Sequence, residues 1–247
     1  AQSGVGLIIS LDCGIKATEK VAYARQKGID FIICDHHTAG STLPKAVAVL
    51  DPKRPDCNYP YKELSGCGVG FKLLQAYCIK NNIDLEYLYE FLDLVAVSIA
   101  SDIVPITGEN RILAYYGLKK LNTAPRSGLK AIIKIAGIEG KNICIDDIVF
   151  KIGPRINAAG RIDTGKSSVE LLTAEDEKIA FDKGDLINDF NNTRKNIDAT
   201  ITKEALDMIA SNKENQNRYT TIVYKPTWHK GVIGIVASRL IESYYRP

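Results

Sequence analysis

The sequence predicts an α/β protein: a parallel sheet with flanking helices, a long connecting helix, and the start of a second, smaller α/β domain. Three observations predict it. Short apolar runs alternate with helix-length stretches through the first hundred residues. Acidic and histidine residues directly follow those apolar runs, where parallel sheets carry their functional groups. A long polar helical stretch then separates this part from a final strand-and-helix pattern.

Residues 6–11, ending in LIISL, read as a buried strand because the run is short, apolar and bounded. Residues 16–26 read as a helix with Gly28 as its stop signal. FIIC at 31–34 is a second strand, and AVAVL at 46–50 a third, closed by Asp51-Pro52. Helices are expected at 70–80 and 85–100, completing a βαβ series whose strands run parallel. The pattern then turns mostly helical, through ILAYYGLKKLN and GLKAIIKIAGI. FKIGPRINAAGRIDTG is expected to be loop-rich, with Pro154 and Gly160 shaping a tight loop. A polar helix is expected over 175–210, and SNKENQN reads as a linker. Beyond it YTTIVY is expected as a strand and GVIGIVASRLIESYY as a helix.

Composition narrows the class. The 247 residues are 45% hydrophobic and 25% charged, an ordinary globular mix. No run of 18 apolar residues is present, so no transmembrane helix is expected. AQSGVGLIIS has neither a basic n-region nor a small-residue cleavage site, unlike a signal peptide. A net charge of +3 permits a polyanionic partner without arguing for one. The six cysteines show no C-x-x-C spacing, which argues against a zinc ribbon and for reduced thiols in a cytoplasmic protein. A strand begins almost at residue 1 and the chain stops just after a helical pattern, so a piece of a longer protein is expected.

The candidate chemistry lies at the strand ends. Asp12 follows LIISL, and Asp35-His36-His37 follows FIIC. Adjacent strands lie about 4.8 Å apart, so Asp12 falls within reach of Asp35 or His36. A carboxylate and an imidazole there suit Mn²⁺ or a similar divalent ion. Neighbouring side chains diverge, so one histidine can bind metal while the other faces a substrate. Asp102, in VAVSIASDIVP, also follows an apolar run; alone it reads as a cap or turn residue. SGCGVGFKLLQAY is a glycine-rich helix opening without the G-K-[ST] of a phosphate loop, and a packing role is expected. GPRINAAGR carries Arg155, Asn157 and Arg161 among small residues, and arginine forks match phosphate oxygens. From spacing alone the arginines read first as solvated groups of an irregular surface loop. WHKGVIGIVASRL reads as a loop entering a helix near Gly231, with His229 and Lys230 before that start and Ser238 and Arg239 further along.

Together, LDCGI, CDHHTAG, SDIVP, GPRINAAGRID and WHKGVIGIVASRL resemble the DHH phosphoesterase superfamily, and within it the branch of single-strand-specific 5′-to-3′ DNA exonucleases. The resemblance implies a DHH domain over 1–172 that is incomplete at its N-terminal side. It implies a connecting helix and linker over 173–212, and the start of a DHHA1-like nucleic-acid-binding domain over 213–247. Asp12 would bridge two divalent ions, Mn²⁺ or Mg²⁺; His36 and Asp102 would be further ligands. Asp35 would support the site and His37 would contact the scissile phosphate. Arg155, Asn157 and Arg161 would contact the DNA backbone, and His229, Ser238 and Arg239 would help grip the strand. The implied partner is single-stranded DNA, in repair and recombination, with a helicase and a single-strand-binding protein as further partners. The family's first motif, of the form D-x-D-x-D-G, has no counterpart here, so the chain by itself is expected to be impaired in metal binding and cleavage. Two other readings stay open: a DHH enzyme acting on short oligonucleotides or cyclic dinucleotides, and a non-catalytic replication scaffold. The first kind usually lacks the last two strings, and the second tends to lose its metal ligands.

Overall fold

The structure, a computed structural model, describes residues 3–211 and 218–247. The chain forms two compact units, Ala1–Pro125 with Lys141–Phe150, and Arg126–Gly140 with Lys151–Pro247.

The first unit is built on a three-stranded parallel sheet in the order β1-β2-β3. Strand β1 is Leu7–Leu11, β2 is Asp30–Cys34 and β3 is Ala48–Leu50. Leu11 pairs with Cys34, and Cys34 with Leu50, so all three strands end at one level. Ile33 and Cys34 of the middle strand are fully buried, as expected for a strand with neighbours on both sides. Helix α1, Thr18–Gln26, connects β1 to β2. Helix α2, Gly66–Lys80, starts at Ser65, whose hydroxyl accepts from the N–H of Gly68 at 3.2 Å.

The helix expected over 85–100 is instead two helices, α3 (Glu86–Tyr89) and α4 (Leu92–Ser101). At the break the Phe91 N–H bonds to the carbonyl of Leu88, three residues back, which tightens the turn. Helix α5, Gly108–Thr123, follows, with a short α7 at Ile145–Asp147. Val95 and Ile99 of α4 meet Ala114 of α5 in the main core, with Phe71 and Cys78 of α2.

In the second unit α6 (Ser127–Ile135), α8 (Gly153–Ile162), α9 (Lys166–Leu172) and α11 (Ile233–Tyr244) all pack on the long α10 (Glu177–Ala210). Asp176 caps α10 by accepting from the N–H of Ile179 at 2.9 Å. Residues 126–140 and 151–172 group with α10, whereas the sequence reading runs the first domain to residue 172.

Two expectations are corrected here. GPRINAAGR is no loop: a π turn at Ile148–Ile152 leads into helix α8. Pro154 lies in the first turn of α8, where a missing N–H loses no helix bond, and Ala158 and Ala159 are fully buried. YTTIVY forms no strand among the described residues; a strand needs a neighbour for its backbone groups, and none pairs with it. The expected linker residues 212–217, and the domain start at 213 with them, lie outside the described residues.

Candidate metal centre

The ends of β1 and β2 make the site. The Asp12 N–H donates to the Cys34 carbonyl and the Asp35 N–H to the Leu50 carbonyl, each at 2.9 Å, so both carboxylates stand one step beyond the sheet ladder. Asp12 is held at φ 62°, a left-handed conformation uncommon for a residue other than glycine. That turn brings Asp12 Oδ1 within 3.0 Å of His36 Nε2. Asp102 arrives from another direction. It follows the last residue of α4, a helix and not a strand, and its Oδ2 lies 3.5 Å from the same His36 nitrogen.

His36 is 6% exposed and its ring nitrogens are buried; neither makes an aligned hydrogen bond, and Nε2 instead faces the carboxylates of Asp12 and Asp102 at 3.0 and 3.5 Å. Leaving such a group unpaired is costly. A cation among Nε2 and the two carboxylates would satisfy it. Ligand atoms of Asp12, His36 and His37 all lie within 4.8 Å of one another, a span that one ion with contacts of about 2.0–2.6 Å can bridge. The donor set, carboxylate oxygen with imidazole nitrogen, therefore fits a divalent ion of the Mn²⁺ or Mg²⁺ type.

Asp35 does different work. It is 1% exposed and accepts from the N–H groups of Ile15 (2.8 Å), His36 (2.8 Å) and His37 (3.2 Å). It also meets His37 Nδ1 at 2.7 Å. Burial alone would raise its pKa, but the Ile15 N–H, His37 and the other backbone donors outweigh burial and hold the carboxyl below its ordinary value. The same contact with Asp35 raises the pKa of His37, whose side chain is 60% exposed. Asp12 shifts opposite to Asp35: burial, then repulsion from Asp102, raises it. Two carboxylates crowding one imidazole leave the centre short of positive charge.

The other candidates fall in the second unit. Asn157 and Arg161 are exposed on α8, and Arg161 donates to the Gly231 carbonyl at 3.0 Å. Arg155 is partly buried and donates to the Lys151 carbonyl (2.7 Å) and to Asn188 Oδ1 (3.2 Å). Arg239 pairs with the buried Asp198 at 2.7 Å. Ser238 donates to the Gly234 carbonyl of its own helix, and His229 Nδ1 accepts from the Gly231 N–H. Helix α11 begins at Ile233, two residues later than the Gly231 start expected. Sequence reasoning missed Ile15 and Gly66, which touch Asp35 and Asp12; the glycine-rich SGCGVG string was the available signal for the second.

Residues 5–99 match the family model "DHH family, N-terminal domain". Over its full length it is 38% identical to the single-stranded-DNA-specific exonuclease RecJ of Bacillus subtilis, covering 100% of this chain and 30% of that protein. Among solved structures, RecJ from Thermus thermophilus in complex with Mn²⁺ aligns with a TM-score of 0.85 at 29% identity, covering 98% of this chain and 35% of that one. The same protein in complex with Mg²⁺ aligns at 0.77 and 28% identity, covering 98% and 33%. The chain thus spans less than half the length of these relatives.

Proposed function

We propose that this chain is part of a metal-dependent 5′-to-3′ exonuclease that hydrolyses the phosphodiester bonds of single-stranded DNA in repair and recombination. The observation that carries the reading is the buried His36 ring, whose Nε2 faces the carboxylates of Asp12 and Asp102 at 3.0 and 3.5 Å without an aligned hydrogen bond. Asp12, His36 and Asp102 would hold Mn²⁺ or Mg²⁺. Ions bound there supply a water of lowered pKa and screen the charge of the phosphate. Asp35 fixes His37 through Nδ1, which leaves the Nε2 edge of the exposed ring to meet the scissile phosphate. Protonated His37, favoured by Asp35, donates a hydrogen bond there.

In the second unit Arg161 and Asn157 are the surface groups best able to reach a DNA backbone. Arg155, His229, Ser238 and Arg239 are assigned a share in that role. Domain limits of 1–172, 173–212 and 213–247 belong to this proposal as limits of descent, alongside the two units of packing. A helicase and a single-strand-binding protein are the proposed partners, in the cytoplasm. Among the described residues no helix is long and apolar enough to cross a membrane.

The test compares Mn²⁺-dependent degradation of 5′-phosphorylated single strands, duplexes and dinucleotides by the longer protein that carries this chain and by its Asp12→Ala variant. Single strands should be degraded, and the variant should be inert. Cleavage of dinucleotides alone, or degradation without added metal, would overturn the reading.

A further inference from the structure

Helix α2 begins at Gly66, and Gly66 lies directly against Asp12. A Cβ built on Gly66 would overlap Oδ1, Cγ and Cβ of Asp12. The glycine is itself buried. Nearby glycines of the same helix are different. At Gly68 a Cβ would come no closer than 3.3 Å, to Ser65 Oγ, and at Gly70 it would meet the end of the Leu11 side chain at 3.0 Å. Helix propensity favours alanine over glycine at such positions, so propensity does not explain Gly66.

The turn after Asp12 is itself tightly packed. Gly14 runs at φ 116°, and a Cβ there would meet Ser10 Oγ at 2.7 Å and Ile33 Cγ2 at 3.2 Å. Beside Gly66 and ahead of this turn, Asp12 keeps its left-handed φ of 62°. Such a conformation persists only where the surroundings over-determine it.

We infer that Gly66 is a positioning residue for the metal centre: its missing side chain lets α2 close on Asp12 and hold that carboxylate at His36. The inference rests on the metal reading proposed above and adds to it the residue that sets the ligand's place. A side chain at 66 would displace the Asp12 carboxylate from His36 Nε2.

Two measurements test it. In the metal-free protein, the stability loss caused by Gly66→Ala is compared in the wild-type and Asp12→Gly backgrounds. The loss should shrink when Asp12 has no side chain to displace; an equal loss in both backgrounds overturns the inference. This comparison needs no metal, and it holds even if Gly66→Ala alone is too unstable to study at high temperature. Next, Mn²⁺ is titrated into the longer protein that carries this chain, as wild type, Gly66→Ala and Gly68→Ala, with free ion read by electron paramagnetic resonance. Gly66→Ala should bind about 10–100-fold more weakly, as for residues that orient a metal ligand, and Gly68→Ala like wild type. Equal binding by all three overturns the positioning role and leaves the metal reading standing. Failure of wild type to bind Mn²⁺ overturns the metal reading and this inference with it.

Discussion

Asp35 Oδ1 lies 2.7 Å from His37 Nδ1, and Asp35 is almost fully buried while the imidazole stands largely in solvent. A buried carboxylate thereby sets the direction of an exposed ring. The same carboxylate ties together the N–H groups of Ile15, His36 and His37, so it also shapes the turn that carries the site.

Replacing Asp35 by Ala should cost about 2–3 kcal/mol of stability, because buried donors lose a charged acceptor. The pH dependence follows from the two shifts, measured with a chelator present. Asp35 is held below its ordinary 3.8, so its contribution is full above that pH and is lost as pH falls through the folded value. His37 is raised above its ordinary 6.5, so its contribution is full below that pH and is lost as pH rises through the folded value. Denaturation of wild type across pH should therefore show two limbs, and Asp35→Asn should flatten both. Unchanged limbs would show that the pair contributes nothing.

The three groups around His36 make a separate prediction. Asp12→Ala and Asp102→Ala should each lower cleavage of single strands by at least about 100-fold, since even residues behind a metal ligand cost 10–100-fold. Affinity for DNA should fall much less, because phosphate contacts elsewhere carry it. Binding assays in EDTA and cleavage assays in Mn²⁺ separate the two effects. A variant that cuts at the wild-type rate would remove its residue from the ligand set.

How far the sequence reveals this centre depends on which contacts are local. Strands β1 and β2 are adjacent and parallel, so two apolar runs each followed by an acid suffice to bring Asp12 to Asp35 and His36. Helix α10 is legible for the same reason: its polar, helical pattern runs unbroken, and the structure places it at Glu177–Ala210. Asp102 is harder, because only the tertiary packing of α4 brings a helix end to the strand ends. Gly66 is harder still, since its role is an absence of atoms beside a residue 54 positions away. GPRINAAGR misleads because glycine and proline signal turns, yet Pro154 sits where a helix tolerates it and the alanines are small to pack closely.

Thiol chemistry offers a check on the sheet. Burial pushes the Cys34 thiol up to about 11, and its side chain is fully inaccessible in the middle strand. Cys13 and Cys144 are exposed. At pH 8, iodoacetamide should alkylate Cys13 and Cys144 first and reach Cys34 only through unfolding, as read by mass spectrometry of timed samples. Early modification of Cys34 would show that β2 is not covered on both sides.

The arginines of the second unit separate by what each already holds. Arg239 pairs with Asp198, a carboxylate that is 1% exposed, so Arg239→Ala strands a buried acceptor and should cost about 1–3 kcal/mol of stability. Arg155 is partly buried and already donates to the Lys151 carbonyl and Asn188, and burial lowers its pKa. Its removal should loosen the link from α8 to α10 before it alters any DNA contact. Arg161 is exposed, with one bond to the Gly231 carbonyl, and has donors left for a phosphate. Arg161→Ala should therefore keep the wild-type melting temperature, weaken single-strand binding for every sequence tested, and reduce the slope of log affinity against log salt by about one. Melting curves and a salt series on all three variants decide the matter. If Arg161→Ala binds with the wild-type slope while Arg155→Ala or Arg239→Ala loses a phosphate contact at full stability, the contact belongs to one of those arginines instead.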